Sequence, residues 1–167
     1  MSAFALSQIL VGVAFLFGLA SFQFKKREVT LTFLSAAGIF LSSHFFLLGA
    51  STAGVVVAVS AVRLCISIFT TNVFVKYACL AVVLCVGIYT FDGVEDIFAL
   101  LAATLGTFGA FQRDEKLMRT FMMLGSSSYV VHNVLIWTPG GIALEIFFLC
   151  SNLVSYYRFY VRSPSTT

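Results

Sequence analysis

The 167-residue sequence has little charge and little proline: 10% of its residues are charged and two are proline. Its ten basic residues occur in ones to threes, so the sequence lacks the dense basic surface that is typical of nucleic-acid-binding proteins. Its four cysteines all lie within apolar stretches, where cysteine usually packs as a small hydrophobic residue. The sequence contains neither a disulfide framework nor a metal-ligand spacing. These absences exclude a nucleic-acid-binding protein and predict no metal ion or cofactor.

Apolar residues take the place of the missing charge. They make up 60% of the chain, and the mean hydropathy is +1.01, whereas soluble domains are roughly 45–50% apolar. A soluble globular domain is therefore excluded. Charged residues, glycine and proline divide the chain into seven apolar stretches, each close to the roughly 20 residues that cross a bilayer as a helix. These stretches are Phe4–Phe24, Val29–Gly49, Thr52–Thr70, Val73–Phe91, Val94–Phe111, Leu117–Trp137 and Ile142–Tyr160.

The predicted fold class is an all-α integral membrane protein, with seven transmembrane helices in a single transmembrane domain over residues 1–167. The other structure that can span a bilayer is a β-barrel, whose strands alternate apolar and polar residues. The seven stretches are continuously apolar, so they favour helices.

Basic residues lie near only one set of loops, and this asymmetry predicts the orientation of the helices. The run Lys25–Arg27 follows the first stretch, and other basic residues lie near the 3–4 and 5–6 connections and at the C-terminus. The loops at Ala50–Ser51, Asp92–Gly93 and Thr138–Gly141 contain no lysine or arginine. Basic loops face the cytoplasm, so we expect the N-terminus outside and the C-terminus in the cytoplasm.

The sequence also contains an internal repeat with a period of 88 residues. In that register His44 falls on His132, at the same depth of the second helix of each half. A three-helix unit crosses the membrane an odd number of times, so two units joined directly would have opposite orientations in the membrane. One additional helix between them gives both units the same orientation. The predicted arrangement is 3+1+3, with repeat 1 at about 4–70, a linker helix at about 73–91 and repeat 2 at about 94–160.

Five polar residues within the predicted helices are candidates for a substrate-binding site: His44, Arg63, His132, Glu145 and Asn152. Ionisable groups inside a bilayer are costly and are by default functional candidates. We expect Arg63 to pair with Glu145 or another polar residue of helix 7 across the two halves. Each candidate also has a structural alternative: an arginine that extends to the interface, a carboxylate that stabilises a helix N-terminus, or a core histidine bonded to carbonyls.

The sequence has no catalytic arrangement. It contains no glycine-rich phosphate loop, no helical metal-binding pair of histidine and glutamate, and no second buried carboxylate near Glu145. We therefore expect a protein that is not an enzyme. An intramembrane enzyme built from His44, His132 and Glu145 is the less favoured alternative.

The run His44–Gly49, with the sequence His-Phe-Phe-Leu-Leu-Gly, is the most specific motif in the chain. Further motif residues are Gln8, Gly12, Ala14, Phe15, Leu16, Gly18, Ala53, Gly54, Arg63, His132, Asn133, Gly140, Gly141, Glu145, Asn152, Arg158 and Phe159. With these residues the chain resembles the YgjV family of bacterial inner membrane proteins over most of its length. The resemblance implies a location in the bacterial inner membrane.

The 3+1+3 layout also resembles the SWEET, PQ-loop and PnuC vitamin-precursor transporters and the KDEL-receptor-type proteins of the same fold. This resemblance implies a SWEET-like fold with a central pocket between two three-helix bundles and alternating access. It also matches Asn152 with the pocket asparagine of such transporters. The sequence departs from the pattern because those sugar transporters have hinge prolines within helices, whereas Pro139 is predicted in a loop and Pro164 in the tail. We expect Gly12, Gly18 and Gly106 to let the first helices bend instead.

The sequence thus predicts a small-molecule transporter with a central polar site formed by the five candidate residues. Its expected partners are membrane lipids and a small polar or anionic molecule, because the guanidinium of Arg63 favours an anionic or polyhydroxyl substrate. The main alternative is a non-transporting, receptor-like or structural membrane protein in which the same residues form a static buried network.

Overall fold

The computed structural model describes residues 2–49 and 51–162, and the regular secondary structure of this part of the chain is all helical, with no strand. The predicted all-helical class is therefore confirmed for the described residues. Two positions named above, Ala50 and Pro164, lie outside them. The described helices are α1 (Ala3–Ser21), α2 (Arg27–Leu47), α3 (Ser51–Phe69), α4 (Val73–Tyr89), α5 (Asp96–Ala110), α6 (Glu115–Leu135) and α7 (Pro139–Tyr156), and α7 continues into a π-helical segment, Tyr157–Arg162.

The second helix of each three-helix group begins earlier than its apolar stretch. Asp114 caps α6 by accepting a hydrogen bond from the Leu117 amide at 2.7 Å. As a result α6 begins at Glu115. Helix α2 begins at Arg27. Both starts lie two residues before the predicted boundary. The prediction was wrong here because it placed each boundary at the first apolar residue, although the first turn of a helix readily includes charged residues. Charged side chains are therefore fixed to the starts of both helices.

Pro139 is the first residue of α7 and does not belong to the preceding loop, so its predicted position was wrong. Proline suits the first helical position, because the amide there has no intrahelical acceptor and the ring fixes φ at a helical value. Pro139 therefore starts α7 without bending it.

Length and composition mark three segments of the described chain as able to cross a membrane: Ala3–Ser21, Arg27–Leu47 and Gly141–Arg162. Helix α5 has only 15 residues, which at the helical rise is about 22 Å, less than the roughly 30 Å of a bilayer's hydrocarbon core. Helix α6 is long enough but carries several charged residues near its start. The structure is consistent with a membrane protein, and the number of seven crossings stays a prediction.

The helices form two groups of three, with α4 between them in the sequence. Helix α2 packs between α1 and α3, and α6 packs between α5 and α7. We call α1–α3 the first half and α5–α7 the second half. The halves meet mainly where α1 contacts α7 and where α3 contacts α5, and α4 packs chiefly against α5.

The connections between helices alternate between two ends of the bundle. The basic end holds the connections after α1, α3 and α5, which include Lys25, Lys26 and Arg113. The acidic end holds the connections after α2, α4 and α6, which include Asp92 and Glu95. The basic end is the end that is predicted to face the cytoplasm.

The second helix of each half ends in the same way. The Leu48 amide donates to the His44 carbonyl oxygen at 3.2 Å, and the Ile136 amide, 88 residues later, donates to the His132 carbonyl oxygen at 3.0 Å. The next residue has a positive φ in both cases, 77° at Gly49 and 58° at Trp137. A left-handed residue after the last turn is a common way to end a helix, and glycine adopts it without strain.

We expect Gly49→Ala to lower the free energy of unfolding by about 1–2 kcal/mol, because a Cβ in the left-handed conformation lies too close to a carbonyl oxygen. Beyond Gly49 and its two chain neighbours, no atom lies within 4 Å of a Cβ built at Gly49, so the effect reports the local backbone alone. The measurement is the unfolding midpoint of the purified protein in detergent. Gly12→Ala is the control, because Gly12 lies inside α1 with equally open surroundings and alanine favours helix. An equal loss in the two variants would contradict this explanation.

Candidate functional site

The two predicted site histidines make equivalent contacts in the two halves. In the last turn of α2, His44 Nδ1 donates to the Ser7 carbonyl oxygen at 2.9 Å. In the last turn of α6, His132 Nδ1 donates to the Glu95 carbonyl oxygen, also at 2.9 Å. Because a carbonyl oxygen only accepts, each Nδ1 carries a proton. Each acceptor lies 37 residues before its histidine, so both rings fasten the second helix of a half to the start of its first helix, at the acidic end.

Arg63 lies on α3 and reaches into the second half. It is 9% exposed, and its Nη1 donates to the Ala103 carbonyl oxygen at 2.9 Å and to the Thr107 hydroxyl, both on α5. The expected pairing with helix 7 was wrong, because α3 packs against α5 while α7 packs against α1. Within the part of the chain that is described, no carboxylate oxygen lies within 4.0 Å of this guanidinium, and its Nε has no hydrogen-bond partner. Arg63 is therefore a buried cation bonded only to neutral groups.

Glu145 lies near the start of α7 and faces α6. Its side chain neighbours Ser126 of α6, and one turn further along α6 the Tyr129 phenol lies close to both Glu145 and Arg63. Tyr129 is thus a polar neighbour that the two charged residues share. Sequence reasoning missed this role of Tyr129, since no spacing pattern connects a residue of α6 with the α3–α5 contact.

Asn152 lies on α7 at the level of the basic end, where it binds Arg119 of α6. The Asn152 Oδ1 accepts from Arg119 Nη1 at 3.2 Å, and its Nδ2 donates to the Arg119 carbonyl oxygen at 3.1 Å. Arg119 also donates to the carbonyl oxygens of Phe22, at 3.2 Å, and Phe24, both just after α1. Asn152 is 1% exposed and Arg119 is fully buried. Asn152 therefore holds the arginine in place for its contact with the first half.

Arg27 is the counterpart of Arg119 in the first half. Its Nη2 donates to the carbonyl oxygens of Ser67 on α3 and of Ala110 at the end of α5, the latter at 2.7 Å. Each arginine therefore extends from the second helix of its own half to the end of the first helix of the other half. We call Arg27, Arg119 and their carbonyl acceptors the arginine clasp.

Sequence reasoning placed Arg27 and Arg119 only among the basic residues of cytoplasmic connections and missed their burial. A signal for their equivalence was available in the sequence. The two arginines are 92 residues apart, which is the repeat period plus one helical turn. They therefore lie on the same face of the second helix in the two halves.

Within residues 2–49 and 51–162, all side-chain hydrogen bonds that join the two halves lie between the middle of the bundle, where Arg63 bonds to Ala103, and the basic end. Besides the arginine clasp and Arg63, they include Gln23 Nε2 to Ser151 Oγ at 3.0 Å and Arg158 Nη2 to the Gln23 carbonyl oxygen at 2.8 Å. At the acidic end, the bonds of His44 and His132 remain within one half. The halves are thus fastened together at one end.

A cavity of about 120 Å³ lies between the halves on the side of the acidic end. Its polar wall consists of Ser60, Thr90, Asp96 and Tyr129, and its inner side includes Ala103, whose carbonyl oxygen accepts from Arg63. Helices α3, α4, α5 and α6 all contribute to its wall. We call this space the interface cavity.

An apolar cavity of about 160 Å³ occupies the corresponding place between α1, α2 and α7. In the 88-residue register, Phe15 and Phe148 of this cavity correspond to Ala103 and Ser60 of the interface cavity. Large aromatic rings in the apolar cavity thus take the positions that small residues occupy in the interface cavity. Of the two cavities, only the interface cavity offers hydroxyl and carboxylate groups to a ligand.

The five predicted site residues do not converge on one point. The two histidines lie at the acidic end, and Arg63 bonds to Ala103 at the inner side of the interface cavity. Glu145 faces α6, and Asn152 binds Arg119 of the arginine clasp. No metal-binding group of three or more histidine, cysteine, aspartate or glutamate side chains occurs in the described residues. The arrangement can bind a small polar molecule through hydroxyl groups, with a guanidinium nearby.

We expect Arg119→Ala to lower the free energy of unfolding by about 3 kcal/mol or more, because it removes several charge-assisted hydrogen bonds and leaves buried acceptors unpaired. The measurement is the melting temperature of the purified protein in detergent. Arg158→Ala is the matched control, because Arg158 is exposed and makes a single bond between the halves. If the two variants melt at the same temperature, the clasp contributes nothing to stability and this interpretation fails.

Residues 5–163 match the model of the family Imp-YgjV, bacterial inner membrane protein. One relative is the inner membrane protein YgjV of Escherichia coli (strain K12), which is 27% identical over 166 residues, covering 96% of this chain and 87% of the relative. No solved structure matches the chain. The resemblance inferred from the motif residues is thus confirmed, and the chain belongs to the Imp-YgjV family of bacterial inner membrane proteins.

Proposed function

We propose that this protein is a small-molecule transporter that works by alternating access and catalyses no reaction. In the proposed architecture the halves are parallel repeats in a SWEET-like 3+1+3 arrangement, related by a pseudo-two-fold axis along the membrane normal. Two recurrences support this architecture: the carbonyl contacts of His44 and His132, and the positive φ of Gly49 and Trp137. The proposed orientation places the acidic end outside and the basic end in the cytoplasm.

The one-sided connection between the halves carries the proposal. Alternating access requires an element that closes one end while the other end gives access to the site. The arginine clasp joins the halves at the basic end, while the interface cavity lies on the acidic side, where no side-chain hydrogen bond joins the halves within the described residues. This arrangement suits a state that is closed toward the cytoplasm.

The chemistry of the interface cavity favours a small hydroxylated substrate. Ser60, Thr90 and Tyr129 offer hydroxyl groups that both donate and accept hydrogen bonds. The carboxylate of Asp96 disfavours an anion at the cavity wall, whereas the guanidinium of Arg63 below the cavity favours one. The opposing charges favour an uncharged polar molecule over an ion of either sign.

The second candidate is a receptor-like or structural membrane protein without transport. The observation that favours it is that His44, His132 and Asn152 all have partners within the protein. Such a network needs no ligand. The two functions differ in whether the arginine clasp opens.

Thiol accessibility tests whether the clasp opens. In a version without the four native cysteines, Ser60→Cys places one thiol in the interface cavity. We expect a membrane-impermeant charged thiosulfonate to label it rapidly from the acidic end. From the basic end labelling should be slow and should become faster in the Arg27→Gln variant, because that variant weakens the clasp.

Two controls make the labelling result specific. A cysteine in place of Leu124, which is exposed and lies midway along α6, should react from neither end. Lys76→Gln removes a basic residue that stacks on Tyr77 and Phe108 and should leave the labelling of Ser60→Cys unchanged. If labelling from the basic end is absent in all variants, the static alternative replaces the transporter.

A ligand screen provides an independent measurement. Small polyols that bind the interface cavity should raise the melting temperature by mass action, because a ligand stabilises the state that binds it. Tyr129→Phe should reduce this shift, since it removes one hydroxyl from the wall. Ser127→Ala, on an exposed part of α6, is the control and should keep the shift. A polyol-induced shift that is equal in all three proteins would exclude binding at Tyr129.

A further inference from the structure

A groove of about 310 Å³ runs between α3 and α4. Valine, isoleucine and alanine side chains from both helices form most of its wall, and Arg63 is its one charged residue. Two residues of the wall, Val62 and Val82, are 59% and 50% exposed. In a membrane such exposed apolar residues face lipid chains, so the groove is open to the bilayer.

Arg63 lies midway along the α3 wall of this groove, between Val59 and Ile66, and its charge lacks a counterion in the described part of the chain. Its Nη1 bonds only to the neutral acceptors Ala103 and Thr107, and its buried Nε has no partner. A charge held in an apolar environment is stabilised by an opposite charge with good hydrogen-bond geometry. The planar guanidinium matches a carboxylate, which accepts two parallel hydrogen bonds.

We propose that the groove binds a single-chain amphipathic carboxylate from the bilayer, with its head group on Arg63 and its hydrocarbon chain along α3 and α4. A small inorganic anion would lose its hydration in an apolar groove without compensation. A neutral lipid would leave Arg63 without a counterion. The groove adjoins the interface cavity, with which it shares Val59 and Val83, and its occupation goes beyond the proposed transport, because binding from the bilayer requires no passage between the halves.

The test uses the full chain in nanodiscs of neutral phosphatidylcholine and a long-chain fatty acid that carries a photoreactive diazirine. After irradiation, mass spectrometry locates the adducts. We expect adducts on the groove residues of α3 and α4, competed by unlabelled dodecanoate. Butyrate, which has the head group without the chain, and dodecanol, which has the chain without the charge, should not compete.

Two substitutions separate the head-group contact from the chain contact. Arg63→Gln should reduce groove labelling about tenfold, the change in affinity that accompanies loss of one charge-assisted hydrogen bond, whereas Arg63→Lys should keep a large part of it. Val82→Trp fills the groove at an exposed position that tolerates a larger side chain, and it should also reduce labelling. Leu153→Trp, equally exposed on α7, is its matched control and should label normally.

Groove labelling of the Arg63→Gln variant is compared with that of the parent protein only if the two melting temperatures are close. If Arg63→Gln fails to fold, Val82→Trp still tests binding in the groove. The proposal is overturned if the adducts are spread over all lipid-facing helices. It is also overturned if the diazirine alcohol of equal length labels the groove as strongly as the acid, or if Val82→Trp and Leu153→Trp label alike. Loss of groove labelling with unchanged thiol accessibility of Ser60→Cys would separate this site from the proposed transport.

Discussion

A guanidinium buried in an apolar environment must find its hydrogen-bond acceptors within the protein, and this requirement determines how the halves of this protein are joined. Arg27 and Arg119 use carbonyl oxygens that are left free at the ends of α5 and α1. Arg63 uses the Ala103 carbonyl and the Thr107 hydroxyl of α5. Each of these bonds connects one half to the other, so removal of any of the three side chains affects the contact between the halves.

A cluster of buried apolar side chains lies at the same end as the arginine clasp. Leu31 of α2 and Met118 of α6 pack with Ala110 and Phe111 at the end of α5. Apolar packing and charge-assisted bonding thus act together at the basic end. Toward the acidic end the halves enclose the interface cavity. The proposed alternating access would use this difference in packing between the two ends.

The sequence predicted the helical class and the family well, because continuous apolar runs and motif residues are local properties. The 88-residue register paired His44 with His132, and the two rings make equivalent contacts. The partner of Arg63 could not be predicted, since no local sequence pattern shows that the third helix of the first half, α3, packs against the first helix of the second half, α5. The burial of Arg119 was missed for a related reason: a basic residue near a helix start is typical of a solvated loop, and its acceptors lie in the other half.

The distance between the halves at each end can be measured directly in lipid nanodiscs by double electron–electron resonance. One pair of spin labels at the exposed positions Leu48 and Ile136 reports the acidic end, and a second pair at Lys26 and Lys116 reports the basic end. If the halves are fixed by the arginine clasp, the basic pair gives one narrow distance distribution and the acidic pair a broad or two-peaked one, and Arg27→Gln broadens the basic pair. Narrow distributions at both ends that do not change in Arg27→Gln would contradict a clasp that controls the movement of the halves.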